Sequence, residues 1–319
     1  MRNVDLRRLA PGPDVWELDV LDYPSWIIER NRPAYRPFIA WCMSRTRSRQ
    51  ISIGPSRPGE SEELMALLVI TKMLRVGKAR LDRPSRILMR HAVLLEALRD
   101  HIEPCGVRLD CVDELPLVDE GQERVADLHL DSRPDGYLHD IDRELLHEYA
   151  HAAIDFAEAE PWRSLHDGCL IEVEPSPDDM RFCAMGGFTG ETRGFGFFES
   201  PQEHARFVLD PDSRDEIANV PRWQFSISTG LHVPNADLDR WDDLGLPRIG
   251  GRDFPLLELL GDEEDDAPGP ERLEFMIGLM RGLAILGHRG IDAGVMHKLV
   301  PGFRGPVALT MSMSELVRT

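Results

Sequence analysis

Cysteine is sparse in this chain. Five residues (Cys42, Cys105, Cys111, Cys169 and Cys183) are spread over 319 positions. Their odd number and wide spacing exclude a disulfide scaffold, and the absence of a C-x-x-C pair excludes a zinc knuckle or a thioredoxin-type redox motif. They read as reduced, mostly buried thiols. Lysine is rarer still: Lys72, Lys78 and Lys298 leave arginine as 34 of the 37 basic residues. No apolar run approaches the roughly 18–20 residues of a membrane span. The opening MRNVDLRRLAPGPD lacks the apolar stretch of a signal peptide. A cytoplasmic chain without a membrane partner is therefore the expectation. There is no G-K-[ST] phosphate loop and no G-x-S-x-G nucleophile elbow.

What the chain does have is apolar material and negative charge. Hydrophobic residues make up 42% and charged residues 29%, with a formal net charge of −19. That is enough for one large domain or two ordinary ones. The charge is unevenly placed. Residues 1–110 carry 19 Lys and Arg against 14 Asp and Glu, and the remainder carries 18 against 42. A net field of this sign repels nucleic acid and anionic membranes unless a local basic surface intervenes. The opposed halves favour self-association or an unknown protein partner, through electrostatic docking within or between chains.

Pro37–Met43 and Gln50–Ile53 read as a hairpin, followed by a helix over Glu60–Leu74 with Leu64, Leu67, Leu68, Thr71 and Leu74 on one face. Ser85–Met89, Ala92–Glu103 and Val107–Val112 then read as strand, helix and strand. The resulting β-β-α-β-α-β order makes a first, Arg-rich unit of residues 1–135. Residues 113–137 are acidic and polar and end in a turn cluster at Arg133–Gly136, which places the junction there. An acidic α+β unit, 138–319, opens with a helix over Asp140–Ala159. Strands follow at Cys169–Val173, Arg181–Met185, Gly194–Phe198, Trp223–Ser228 and Val307–Met311, and helices at Gln202 and over Glu271–Leu286. Ser200, Pro201 and Glu203 spell a capping box. The acidic stretch 261–270 reads as a solvated linker. Both halves contain a hairpin followed by a helix. The fold class expected is α/β or α+β, with two related units, mixed sheets and an internal duplication.

His147-Glu148-Tyr149-Ala150-His151 matches H-E-x-x-H, in which two histidines one helical turn apart hold zinc and the glutamate acts as general base. The match is similar to the zinc-peptidase superfamily. It implies His147 and His151 as metal ligands and Glu148 as the group polarising a metal-bound water. At about 100° per residue, however, Leu138, Ile141, Leu145, Tyr149, Ala152 and Phe156 form the apolar stripe. Both histidines fall nearly opposite, among Glu144, Asp155 and Glu158. The extended zincin pattern fails at Ile154 and Ala157. The residues favour a solvated helix face, with no cofactor expected and a zinc-dependent hydrolase as the alternative.

Two further surfaces stand out. Arg45, Arg47 and Arg49 alternate, so an extended segment puts all three on one side as a basic ridge. A nucleic-acid accessory role is a second alternative on that ground alone. In GGFTGETRGFG the glycines favour a hairpin or bulge over a phosphate cradle, with Glu191 and Arg193 at its tip as a possible binding surface.

Reading on, the chain shows Phe156, Ala159, Pro161, Trp162, Leu165, Asp167, Ile171 and Val173 in the pattern F-x-x-A-x-P-W-x-x-L-x-D followed by I-x-V. Met185, Gly186, Gly190, Glu191, Gly194, Phe197, Phe198 and Ser200 then give M-G-x-x-x-G-E-x-x-G-x-x-F-F-x-S. These motifs resemble an uncharacterised family of bacterial proteins of unknown function, firmly over residues 155–205 and more loosely over the first half. The resemblance implies no activity. It implies a packing helix before Pro-Trp with no required histidine pair. A non-catalytic binding or scaffolding protein is the overall expectation.

Overall fold

The computed structural model describes residues 9–315 except 30–31, 48, 75–81, 129–135, 166–167, 187–192, 211–216, 218–219, 262–266, 290–294 and 303–304. The chain divides into two compact units. The first comprises Met1–Ile27 and Tyr35–Leu130, the second Ile28–Ala34 and Asp131–Thr319. The whole is an α+β protein, as its sequence indicated.

The first unit is built on a five-stranded mixed sheet in the order β3-β2-β1-β4-β5, with β1 Val15–Asp22, β2 Phe38–Ser44, β3 Gln50–Ile53, β4 Arg86–Met89 and β5 Arg108–Cys111. β1 pairs antiparallel with β2 and parallel with β4, and β4 pairs parallel with β5. Side chains alternate across β1. Trp16, Leu18 and Val20 face the core shared with α1 (Glu62–Met73) and α2 (Ala92–Ile102). On the opposite face Ile39, Trp41, Met43 and Leu88 pack with Leu115 and Val118, at the start of α3 (Pro116–Leu128).

Three sequence expectations change here. The first strand is not the one read at Pro37–Met43: β1, at Val15–Asp22, precedes it and is the central strand of the sheet. Residues 116–128, read as a polar stretch, form α3, and the division between the units falls just after it, between Leu130 and Asp131. In α1 the buried residues are Met65, Ala66, Val69, Ile70 and Met73, while Leu64 is exposed. That helix is apolar almost all round, so its periodicity does not select a face and the sheet does.

The second unit is a seven-stranded sheet in the order β10-β9-β8-β7-β6-β12-β11. Its strands are β6 Cys169–Glu174, β7 Phe182–Met185, β8 Gly194–Phe198, β9 Arg222–Ser228, β10 Phe254–Leu260, β11 Val295–Gly302 and β12 Gly305–Glu315. Every pairing is antiparallel. The helices are α4 Arg143–Ala159, α5 Pro201–Leu209, α6 Asn235–Asp243 and α7 Pro270–Arg289. α4 and α7 pack along one another. Phe156 of α4 lies 5.5 Å from both Phe195 and Phe225, rings that stack at 5.1 Å on neighbouring strands. Gly194 permits that pairing, because a Cβ there would stand 2.0 Å from the Phe225 carbonyl oxygen.

α5 covers Phe198, Leu170 and Ala184 with Phe207 and Val208. The serine half of its expected capping box is present, Ser200 Oγ accepting from Glu203 N, while the Glu203 carboxylate reaches back one residue further and accepts from Glu199 N. The hairpin-plus-helix likeness between the halves survives locally, as β2-β3-α1 and β7-β8-α5. The sheets around these pieces differ, one with parallel pairs and one wholly antiparallel. The second sheet is thus not mixed, and the topology gives a duplication no support.

All five cysteines are free, and burial pushes the Cys183 thiol up to about 12. Among the described residues no helix is long and apolar enough to cross a membrane.

Candidate functional site

In open α/β sheets ligands gather where parallel strands end. In the first unit that edge brings together the ends of β1 and β4, the start of the antiparallel β2 and the start of α2. A cavity of about 770 Å³ opens there, lined in part by Leu21, Arg36, Phe38, Glu62, His91 and Val93. This volume suits a small organic molecule. Val93, in the first turn of α2, is an apolar side chain left 86% exposed.

His91 is the N-cap of α2. Its backbone is extended (φ −91°, ψ 109°) and no side chain caps the helix start. The first N–H groups of a helix have no partner within it and carry the positive end of its dipole. The imidazole, half exposed, turns Nε2 toward Asp19 Oδ1 at 3.6 Å, an ion-pair separation rather than a hydrogen bond.

Asp19 is the unusual member. Its side chain is 1% exposed, on the face of β1 that looks toward α3. Oδ1 accepts the backbone N–H of Val20 at 3.0 Å, while Oδ2 has no hydrogen-bond partner and lies 3.9 Å from Arg90 Nε. Burial pushes the carboxyl above its usual range. His91, the Val20 N–H and Arg90 offset this in part, and Asp119 adds to it. Arg90 forms a close ion pair with Asp119 through Nη2, and its buried Nε, without a hydrogen-bond partner, is the atom that faces Asp19 Oδ2.

Two residues earlier on the same strand face, Glu17 is equally buried but fully engaged. Its Oε2 accepts the N–H groups of Leu117 and Val118 at 2.9 and 3.2 Å, and Oε1 accepts from Arg45 Nε at 2.8 Å. One buried acid thus anchors α3. The other stands behind a histidine at a cavity.

The residues singled out in the sequence lie elsewhere. Leu145, Tyr149, Ala152 and Phe156 are buried, as the helical stripe requires, whereas His151 is exposed and His147 half-buried. Glu148 accepts from Arg281 Nη2 of α7 at 2.7 Å, which neutralises the carboxylate a zincin would use as base. Among the described residues no group of three His, Cys, Asp or Glu is placed to hold a metal ion.

Of the arginine ridge, Arg45 pairs with Glu17, and Arg47 pairs with Asp82 at 3.1 Å. Arg49 is half-buried. Two of the three charges are therefore met within the unit. Glu191 lies outside the described residues. Arg193 forms a close ion pair with the buried Asp253.

Asp19 and His91 were missed because neither belongs to a motif. The signals were positional: VWELDVLD alternates as a half-buried strand does, and His91 falls at a strand-to-helix junction. Acids on such a strand read as solvent-facing unless a second helix is known to cover them.

The fold thus defines an α+β protein whose first unit carries a crevice at the ends of parallel strands. Residues 4–126, which cover nearly all of that unit and under half of the chain, match a family described as Domain of unknown function (DUF6930). This agrees with the resemblance to an uncharacterised family, although the motifs at 155–205 lie beyond the matched residues. No curated protein and no solved structure matches the chain.

Proposed function

We propose that the chain is a binding protein and that its first unit takes a small molecule in the crevice at the ends of β1 and β4. The observation that carries this reading is the position of the cavity. It lies over an uncapped helix start, beside a histidine and an exposed valine, at the edge where α/β sheets collect ligands. Its lining mixes apolar walls (Leu21, Phe38, Val93) with a few polar groups (Arg36, Glu62, His91), as ligand sites do.

The test is a thermal-shift screen of small metabolites against the wild-type chain and Val93→Trp. Val93 is 86% exposed, so the variant fills the crevice mouth without entering the core and leaves the ligand-free Tm within about 1–2 °C. Compounds that raise the Tm of the wild type and not of Val93→Trp support the reading. A screen without hits, or hits that stabilise both proteins equally, contradicts it.

A further inference from the structure

We propose that His91 and Asp19 form an acid–base couple acting on a small ester or similarly activated carbonyl compound held in the crevice. This rests on the binding role proposed for that crevice and adds chemistry to it. With Nε2 turned toward Asp19 at 3.6 Å, Nδ1 is the ring nitrogen left to meet a ligand. Asp19 is sealed from water at 1% exposure, and its Oδ2 has no hydrogen-bond partner. A buried carboxylate of this kind is costly unless it does something that a neutral residue does not. His91 faces the other oxygen, Oδ1, which so far accepts only the Val20 N–H. A positive charge arising on the ring gives Oδ1 a second donor, and a contraction of about 0.7 Å converts the contact into a charge-assisted hydrogen bond. Such contacts are commonly long without ligand and tighten when one binds.

The other charged groups around the ring are Arg90 beside it in sequence, Asp119 from α3, Asp22 at the end of β1, Glu62 from α1 and Arg36 before β2. Arg90 pairs with Asp119 through Nη2 and lies 3.9 Å from Asp19 Oδ2 through Nε. Its fixed charge therefore faces Oδ2, while His91, facing Oδ1, is the neighbour that can gain and lose a proton.

In the step proposed, a water oxygen bonds to the carbonyl carbon while one of its protons passes to Nδ1. The carbonyl oxygen takes up negative charge against the N–H groups that open α2. The carbon–oxygen bond to the leaving group then breaks, and the proton on His91 follows the departing oxygen. Acid and alcohol are the products, and nothing is oxidised or reduced. His91 is the catalytic residue here, and Asp19 positions it and stabilises its charge.

Two measurements on the full chain test the couple. The first is hydrolysis of 4-nitrophenyl acetate. The wild type is expected to exceed His91→Gln by at least about tenfold, and Asp19→Asn is expected to fall between them with an altered pH profile. The second is the pH titration of the Asp19 carboxyl carbon by NMR. Its midpoint should rise in His91→Gln, because the ring charge that lowers it has gone. Equal hydrolysis rates in wild type and His91→Gln overturn the proposal, and so does an Asp19 midpoint that does not move. Val93→Trp separates the two readings. Metabolite stabilisation lost in that variant alongside an unmoved Asp19 midpoint leaves the binding role standing without the couple. A moved midpoint with no ligand for the crevice removes the binding role instead.

Discussion

Glu17 Oε2 accepts the backbone N–H of Leu117 at 2.9 Å, so a strand residue caps a helix that begins a hundred residues later in the chain. The same oxygen takes Val118 N, and Oε1 takes Arg45. Truncation to Glu17→Ala leaves buried helix-start donors unpaired and removes a buried charge partner. A loss of about 2–3 kcal/mol in unfolding free energy is expected, by urea denaturation followed at the first unit's tryptophans. Arg45→Ala, on the half-exposed side of the pair, should cost under about 1 kcal/mol. Equal costs would show that the Arg45 pair, rather than the helix cap, carries the stabilisation.

Asp19 has the opposite energetics. Burial raises its folded-state pKa above the ordinary 3.8. At low pH the carboxyl is neutral in both states and costs nothing. Above the unfolded value the native state must hold a proton or an unfavourable charge, so stability falls as pH rises through that window. Asp19→Asn should therefore raise the Tm at pH 7 by about 2–5 °C and lose that advantage near pH 3. A variant less stable than the wild type at pH 7 would contradict this.

Asp14 shows the reverse sign. Burial alone would raise its pKa, but hydrogen bonds from Thr46, Ser44 and Trp16 outweigh it and hold the carboxyl below 3.8. Thr46 Oγ1 donates at 2.6 Å, Ser44 Oγ at 2.8 Å and Trp16 Nε1 at 2.9 Å. A lowered folded pKa gives stability that is complete above the unfolded value and lost as pH falls through the folded one. Asp14→Asn should be less stable at pH 7 and show a shallower decline between pH 5 and pH 2 in urea-midpoint measurements. A decline as steep as that of the wild type would assign the acid sensitivity to other carboxylates.

The HEYAH helix gives a prediction about metal. With Glu148 held by Arg281 and His151 exposed, protein purified without chelator or a metal-binding tag should carry no stoichiometric zinc. His147→Ala and His151→Ala should leave the metal content unchanged, measured by elemental analysis. Near-stoichiometric zinc lost in both variants would restore Glu148 as a general base.

Much of the fold was legible where one period dominates and one face is buried. The α4 stripe from Leu145 to Phe156 is buried as its spacing requires. Ser200-Pro201-Glu203 cap α5 as their chemistry requires. The β4-α2-β5 segment alternates in plain view. What was not legible depends on partners far away in sequence. β1 carries two acids in a central strand, where a continuous apolar run is the norm, and only Leu117, Val118 and Arg45 explain the first of them. α3 looks polar because only its first turn, Leu117 and Val118, together with Leu115 just before it, joins the apolar cluster on the sheet. Asp19 and His91 are 72 residues apart, and no spacing rule joins them. The topology does so, by laying β4 parallel to β1.

The most direct measurement is a crystallographic fragment soak of the full chain. Density for bound fragments between His91, Val93 and Phe38, within the cavity at the ends of β1 and β4, is the result expected of a small-molecule site. Fragments that bind elsewhere and leave this crevice empty would contradict it.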